Sequence, residues 1–186
     1  MGRRPLAVAL TGGIAAGKSE ALAAFARHGA ATLSADAVVH ELLADDDEVR
    51  QAIRARWGEA AVGDRGRIGQ VVFDDPAELD WLERLLHPRV VEAQRRWREG
   101  VTATLAVVEI PLLYETGGET RFDAVVVITA PPQIRAERRP VLARRETRLL
   151  PEGEKVRRAD FAYVNDGSLE DLDRFVASVV ERLTSS

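Results

Sequence analysis

The stretch "PLAVALTGGIAAGKSEALAAFARHG", residues 5–29, decides the fold. Its first part, Leu6 to Thr11, is a short unbroken apolar run, the pattern of a strand buried on both faces. The middle holds G-x-x-x-x-G-K-S from Gly12 through Gly17 and Lys18 to Ser19, the spacing of a phosphate-binding loop. The last part places Ala21, Leu22, Phe25 and Ala26 at helical spacing, with Gly29 as a stop. Strand, glycine loop and helix in that order are the context the motif requires. Glycines let backbone N–H groups approach phosphate oxygens, and the helix turns its positive end to the same anion. Lys18 would neutralise charge between β- and γ-phosphates, and Ser19 would offer a hydroxyl to Mg²⁺. Ala15 and Ala16 stand where many such loops carry glycine or serine. Their N–H groups still serve the cradle if the local φ is negative.

Working outward, the chain has 186 residues, 46% of them apolar and 30% charged, the make-up of one globular domain with room for an insertion. A net charge of −4 gives no polycationic signal for nucleic acid. There is no cysteine, so disulfides, thiol chemistry and cysteine-based zinc sites are excluded. His28, His40 and His87 are scattered and lack metal-ligand spacing. No apolar run has the length of a membrane span and no secretory h-region precedes the loop, so a cytoplasmic protein is expected. Of the 26 basic residues only Lys18 and Lys155 are lysines; the other 24 are arginines. In a chain that uses arginine almost everywhere, a lysine in the loop is selected for its slim, flexible ammonium.

Beyond the loop, residues 30–36, "AATLSAD", read as a second strand ending in Asp36. A carboxylate at that sheet edge can prepare an attacking hydroxyl, or cap the helix that follows. Residues 37–103 are mostly helical in spacing. "TLAVVEIPLLYE" and "FDAVVVITAP" are apolar strand runs, and Pro111 ends ladder pairing in the first. Glu109 lies where a metal-associated carboxylate could stand at a strand end; a solvated acid is the plainer reading. "DFAYVND" is a last strand, and "SLEDLDRFVASVVERL" an amphipathic helix with Ser168 as N-cap and Asp171 in its first turn. Strands alternating with helices predict an α/β fold with a parallel sheet. The arginines from Arg135 to Arg148 lie between the fourth and fifth strands, where a lid over a triphosphate fits; a solvated helix face is the plainer reading.

"LTGGIAAGKS" (10–19), "SADAVVHELL" (34–43), "LERLLHPRVV" (82–91), "VEIPLLYE" (108–115) and "RRADFAYVNDGSLEDL" (157–172), in this order, resemble the dephospho-coenzyme A kinases over nearly the whole chain. The resemblance implies transfer of the ATP γ-phosphoryl group to the 3′-hydroxyl of dephospho-coenzyme A, the final step of coenzyme A biosynthesis. It implies a P-loop core (1–36 and 104–186), a helical acceptor-binding insertion (37–103) and a short lid (138–151). Thr11 and the segment Gly13, Ile14, Ala15, Ala16, Gly17, Lys18 and Ser19 would hold ATP and Mg²⁺, with Ser19 on the metal. Asp36 would prepare the acceptor hydroxyl. His87, Pro88, Leu112, Leu113 and Glu115 would shape the acceptor site, and Asn165 and Gly167 would touch adenine. Arg138, Arg139 and Arg145 are the candidates for the catalytic lid arginine. Ser34-Ala35-Asp36 departs from the usual Asp-Ala-Asp, and the lid is several residues short. A monomer or weak homo-oligomer is expected, with no nucleic acid or membrane as partner. The other readings are a nucleoside or nucleotide kinase and a nucleotide-binding protein without turnover.

Overall fold

The computed structural model describes residues 4–138 and 150–185. Five strands form one parallel sheet: β1 (Leu6–Gly12), β2 (Ala31–Ser34), β3 (Leu105–Glu109), β4 (Ala124–Thr129) and β5 (Phe161–Val164), in the spatial order β2-β3-β1-β4-β5. The central strands β1, β3 and β4 are almost wholly buried, which is why their sequences are continuous apolar runs rather than alternating ones. Parallel register brings Leu10 opposite Glu109 and Ser34 opposite the same Glu109. The C-terminal ends of β1, β2 and β3 thus share one sheet edge, the edge at which open α/β sheets bind ligands.

Between the strands lie α1 (Lys18–Arg27), α2 (Ala35–Asp45), α3 (Asp47–Trp57), α4 (Arg65–Asp74), α5 (Pro76–Glu99), α6 (Pro132–Arg138), α7 (Glu152–Arg158) and α8 (Leu169–Thr184). The chain divides into two compact units, one of residues 1–34 with 100–186 and one of residues 35–99. In the first, Val8 and Leu10 of β1 meet Ala21 and Phe25 of α1 and Leu172 and Val176 of α8 in a single apolar core. The helix α8 starts with a capping box: Ser168 accepts from the Asp171 N–H, and the Asp171 carboxylate accepts from the Ser168 N–H. Ser168 is therefore the N-cap that the sequence predicts.

The second unit is helical throughout, around Leu43, Val49, Ile53, Ile68, Leu82 and Leu86. Trp57 stands edge-on to Trp81 at 4.9 Å and donates its indole N–H to Glu78, 2.6 Å away. The 24-residue α5 runs straight through Pro88. A proline there removes one helix hydrogen bond and crowds the preceding turn. One residue on, the Arg89 guanidinium donates to the Leu85 carbonyl at 2.9 Å and to Glu48 on α3 at 2.6 Å.

The second strand is shorter than its sequence suggests. It ends at Ser34, and Ala35 already begins α2, so Asp36 is neither a strand end nor an N-cap but sits in the first helical turn. The negative charge is favourable at that positive helix end, and this decides the boundary over the apolar pattern.

Candidate active site

The loop between β1 and α1 is built on positive φ values. Gly12 has φ 145, Gly17 has φ 100, and Ala15 has φ 58. The expectation of a negative φ at Ala15 is thereby overturned. A left-handed residue beside right-handed neighbours turns successive N–H groups toward one concavity, the nest that binds anions. Ala15 thus takes the costly conformation in the middle of this loop. Close packing demands the glycines as well: a Cβ on Gly12 would lie 1.8 Å from the Ile128 carbonyl oxygen, and one on Gly17 would lie 2.2 Å from Asn165 Nδ2.

Lys18 folds back over this loop and donates to the Gly13 carbonyl at 2.8 Å, with the Gly12 carbonyl at 3.4 Å. Its ammonium is held by main-chain oxygens at the place where phosphate oxygens would arrive. Ser19, second residue of α1, is exposed. Thr11 is fully buried at the end of β1, its hydroxyl 3.5 Å from the Pro111 carbonyl, a contact at the long limit. Asn165 is 3% exposed, and its backbone N–H donates to the Thr129 carbonyl at 2.7 Å. The Asn165 amide donates to Ala16 O at 2.8 Å, so this side chain braces the phosphate loop from behind.

Arg138, last residue of α6, donates to the Ala15 carbonyl at 3.3 Å and so lies against the loop. Arg139 and Arg145 are outside the described residues, as is most of the 138–151 segment. Arg135, named in the sequence only as part of a cluster, stands nearer the loop than that cluster implied. Its guanidinium comes within 3.6 Å of where a Gly13 Cβ would be, and its Nε is 3.7 Å from Glu152. Glu152 itself reaches Gly13 from α7. Neither Glu152 nor Lys155 was singled out for the site by spacing; the scarcity of lysine was the one available signal for Lys155.

Glu109 is 7% exposed at the end of β3, between β1 and β2, which corrects the reading of a solvated acid. Parallel pairing on both sides shuts out the water that a free strand end would meet. Leu113 is fully buried and belongs to the core, so it packs rather than touches a ligand; Leu112 is partly exposed. Glu115 is engaged by Lys155 Nζ at 2.7 Å and by the Leu150 N–H at 2.9 Å, both on the same oxygen. Gly167 packs on the capping carboxylate of Asp171. In the helical unit, Asp36 is exposed on the first turn of α2, and His87 and Pro88 are exposed midway along α5.

A glycine nest joining a buried central strand to a helix, with a lysine drawn over it and an arginine at its rim, defines a P-loop nucleotide-binding protein of the kinase type. Comparison with known proteins narrows this. The model of the dephospho-CoA kinase family matches residues 6–171. The dephospho-CoA kinase of Rhodopseudomonas palustris is 35% identical over 192 residues, covering 95% of this chain and 94% of the relative. A crystal structure of a Thermus thermophilus protein superposes with a TM-score of 0.81 at 32% identity, covering 97% of this chain and 99% of that one. Dephospho-CoA kinase from Campylobacter jejuni shares the fold, with a TM-score of 0.69 at 24% identity over 99% of this chain and 100% of its own. The chain belongs to the dephospho-CoA kinase family.

Proposed function

We infer that this chain transfers the γ-phosphoryl group of ATP to the 3′-hydroxyl of dephospho-CoA, the last step in making coenzyme A. The observation that carries this reading is the anion nest with Lys18 drawn over it, in a chain of this family. Loop N–H groups would surround the phosphates, and the Lys18 ammonium would exchange main-chain carbonyls for phosphate oxygens. Phosphoryl transfer asks little covalent chemistry of a protein, so positioning and charge stabilisation supply most of the rate. Arg138, whose guanidinium donates to the Ala15 carbonyl, would meet charge on the transferring group.

A Mg²⁺ ion fits the donor set. The Ser19 hydroxyl at the start of α1 and the buried Glu109 carboxylate at the end of β3 are oxygen groups, and Mg²⁺ binds through few protein oxygens while keeping phosphates and waters. Among the described residues no cluster of three or more acids or imidazoles forms a dedicated metal cage, which suits an ion carried in with ATP. When bound, Mg²⁺ would offset phosphate charge.

Asp36 would accept or orient the proton of the acceptor hydroxyl. Its position supports this: exposed, two residues beyond the last residue of β2, in the first turn of α2. His87, Pro88 and Leu112 would contribute to holding the acceptor, and Gly167 to the nucleotide base. The test is ADP release with dephospho-CoA against a panel of nucleosides and nucleotides, for the wild type and Asp36→Asn. The variant should lose more than about 100-fold in kcat. Its KM for ATP should stay within about threefold. Its stability should change by no more than about 1 kcal/mol, the size of one helix-dipole interaction. Faster turnover of any nucleoside would remove the substrate assignment. A collapse in melting temperature with unchanged kcat per folded molecule would leave Asp36 a structural role only.

A further inference from the structure

We propose that Lys155, through its ion pair with Glu115, is a positioning residue for phosphoryl transfer: the pair fixes α7 so that Glu152 stands against Gly13 of the phosphate loop. This rests on the kinase reading above.

The chain places arginine at 24 of its 26 basic positions and keeps lysine at two. One of the two lies in the phosphate loop. The other, Lys155, is 1% exposed, the most deeply buried charged residue among those described. Its ammonium is 2.7 Å from Glu115 Oε1, and the same oxygen accepts the Leu150 N–H at 2.9 Å. Glu115 therefore grips α7 from within and also holds Leu150, two residues before it. Arg158, at the far end of α7, pairs with Glu119 and lies over the Tyr114 ring at 4.3 Å. The turn 114–119 and the helix are joined at three points.

The other face of α7 reaches the loop. Glu152 Oε1 lies where a Gly13 Cβ would come within 1.8 Å of it, and Arg135 Nε is 3.7 Å from that oxygen. A shift of α7 would move Glu152 relative to Gly13, whose carbonyl holds Lys18. The path from Lys155 to the loop lysine is thus short and made of named contacts.

The chemistry of the region argues against a purely stabilising role. A buried ion pair is a poor way to add stability, because desolvation offsets most of its attraction. Among the described residues, Tyr114 Oη, Glu115 Oε2 and Glu119 Oε2 in this turn are buried without a hydrogen-bond partner, and so is Lys155 Nζ, whose contact with Glu115 is an ion pair without hydrogen-bond geometry. Unsatisfied polar atoms cost stability, and such local costs gather where function requires a fixed arrangement. An apolar contact could slide along the helix; a charge pair with one shared oxygen sets a position and a register.

Three variants test this in the ADP-release assay on the full chain: Lys155→Arg, Glu115→Gln, and the double Glu115→Leu with Lys155→Met. The wild type is run alongside, and if it fails to phosphorylate dephospho-CoA the functional reading falls rather than this one. Removing both charges should preserve the melting temperature, since well-packed apolar replacements tolerate a lost pair. It should still lower kcat about 10- to 100-fold through misplacement of the loop, with both KM values within about threefold. Glu115→Gln keeps the side-chain size and an acceptor for Leu150; it should also lower kcat, by at least about fivefold. Lys155→Arg retains the charge and should restore at least about a third of the wild-type kcat. Wild-type kcat in Glu115→Gln or in the folded double variant overturns the proposal. So does a loss confined to the KM for dephospho-CoA, which would put Glu115 in acceptor binding. If the double variant does not fold, the contrast between Glu115→Gln and Lys155→Arg decides.

Discussion

Ala15 occupies a conformation that side chains with a Cβ seldom adopt, φ 58, in the middle of the phosphate loop. Left-handed backbone costs a residue other than glycine about 1–2 kcal/mol. Relief by glycine is partly offset by the freedom glycine gains in the unfolded chain, about 0.4–1 kcal/mol. Ala15→Gly should therefore raise unfolding stability by up to about 1 kcal/mol, and Ala15→Val should lower it by at least that much. Denaturant midpoints of the two variants check this; a Gly variant clearly less stable than wild type would mean that the neighbours, not the alanine, carry the strain. At this scale the sequence was legible in residue type but not in dihedral. The motif spelled out which residues form the loop. It could not show that Ala15 follows the left-handed path, because alanine by itself favours a negative φ and only the folded loop imposes the positive one.

Helix α8 shows how an element is tied down at two points of different chemistry. Its apolar face, Leu172, Val176 and Val179, packs into the core with α1, while Asp173 accepts from Arg27 at 2.6 Å and meets His28 at 2.9 Å. Hydrogen bonding first from Arg27 and then from His28 holds the Asp173 carboxyl below the usual range for aspartate. A carboxyl lowered in the folded state stabilises above its unfolded value, about pH 3.9, and that contribution fades as the pH falls through the folded value. Wild type should hence be more stable than Asp173→Asn at neutral pH, and the two should converge as the pH drops below about 4. Urea midpoints measured across that range would show it; parallel curves would mean the contact is screened by solvent. The helix and its cap were readable from Ser168, Asp171 and the apolar spacing. The Asp173 clasp was not, because its partners lie about 145 positions away in sequence.

For the molecule as a whole, the two units have separate cores, and their sequences announce them differently. The sheet is legible as five apolar runs punctuated by glycine and proline. The helical unit shows as periodic stretches, Pro88 within one of them, yet pairings between its helices, such as Arg89 of α5 with Glu48 of α3, were not readable. Glu109 was misjudged for the same reason, since its burial depends on strands distant in the chain. Ile53 is fully buried in the core of the helical unit. Ile53→Ala should cost about 2–5 kcal/mol of stability there. ATP affinity of the folded protein, resting on the other unit, should change less than about threefold. Calorimetry alongside nucleotide titration would detect the difference, and an equal loss of ATP affinity would show the two units to be coupled.

The confinement of lysine to positions 18 and 155 also decides how the chain meets amine chemistry. Acylating reagents find one side-chain target in the nucleotide loop and another sealed beneath α7. A protease that cuts only after lysine faces the same two addresses, neither in an open loop. Both kinds of probe thereby report on occupancy and on local opening, against a surface of arginines to which they are blind.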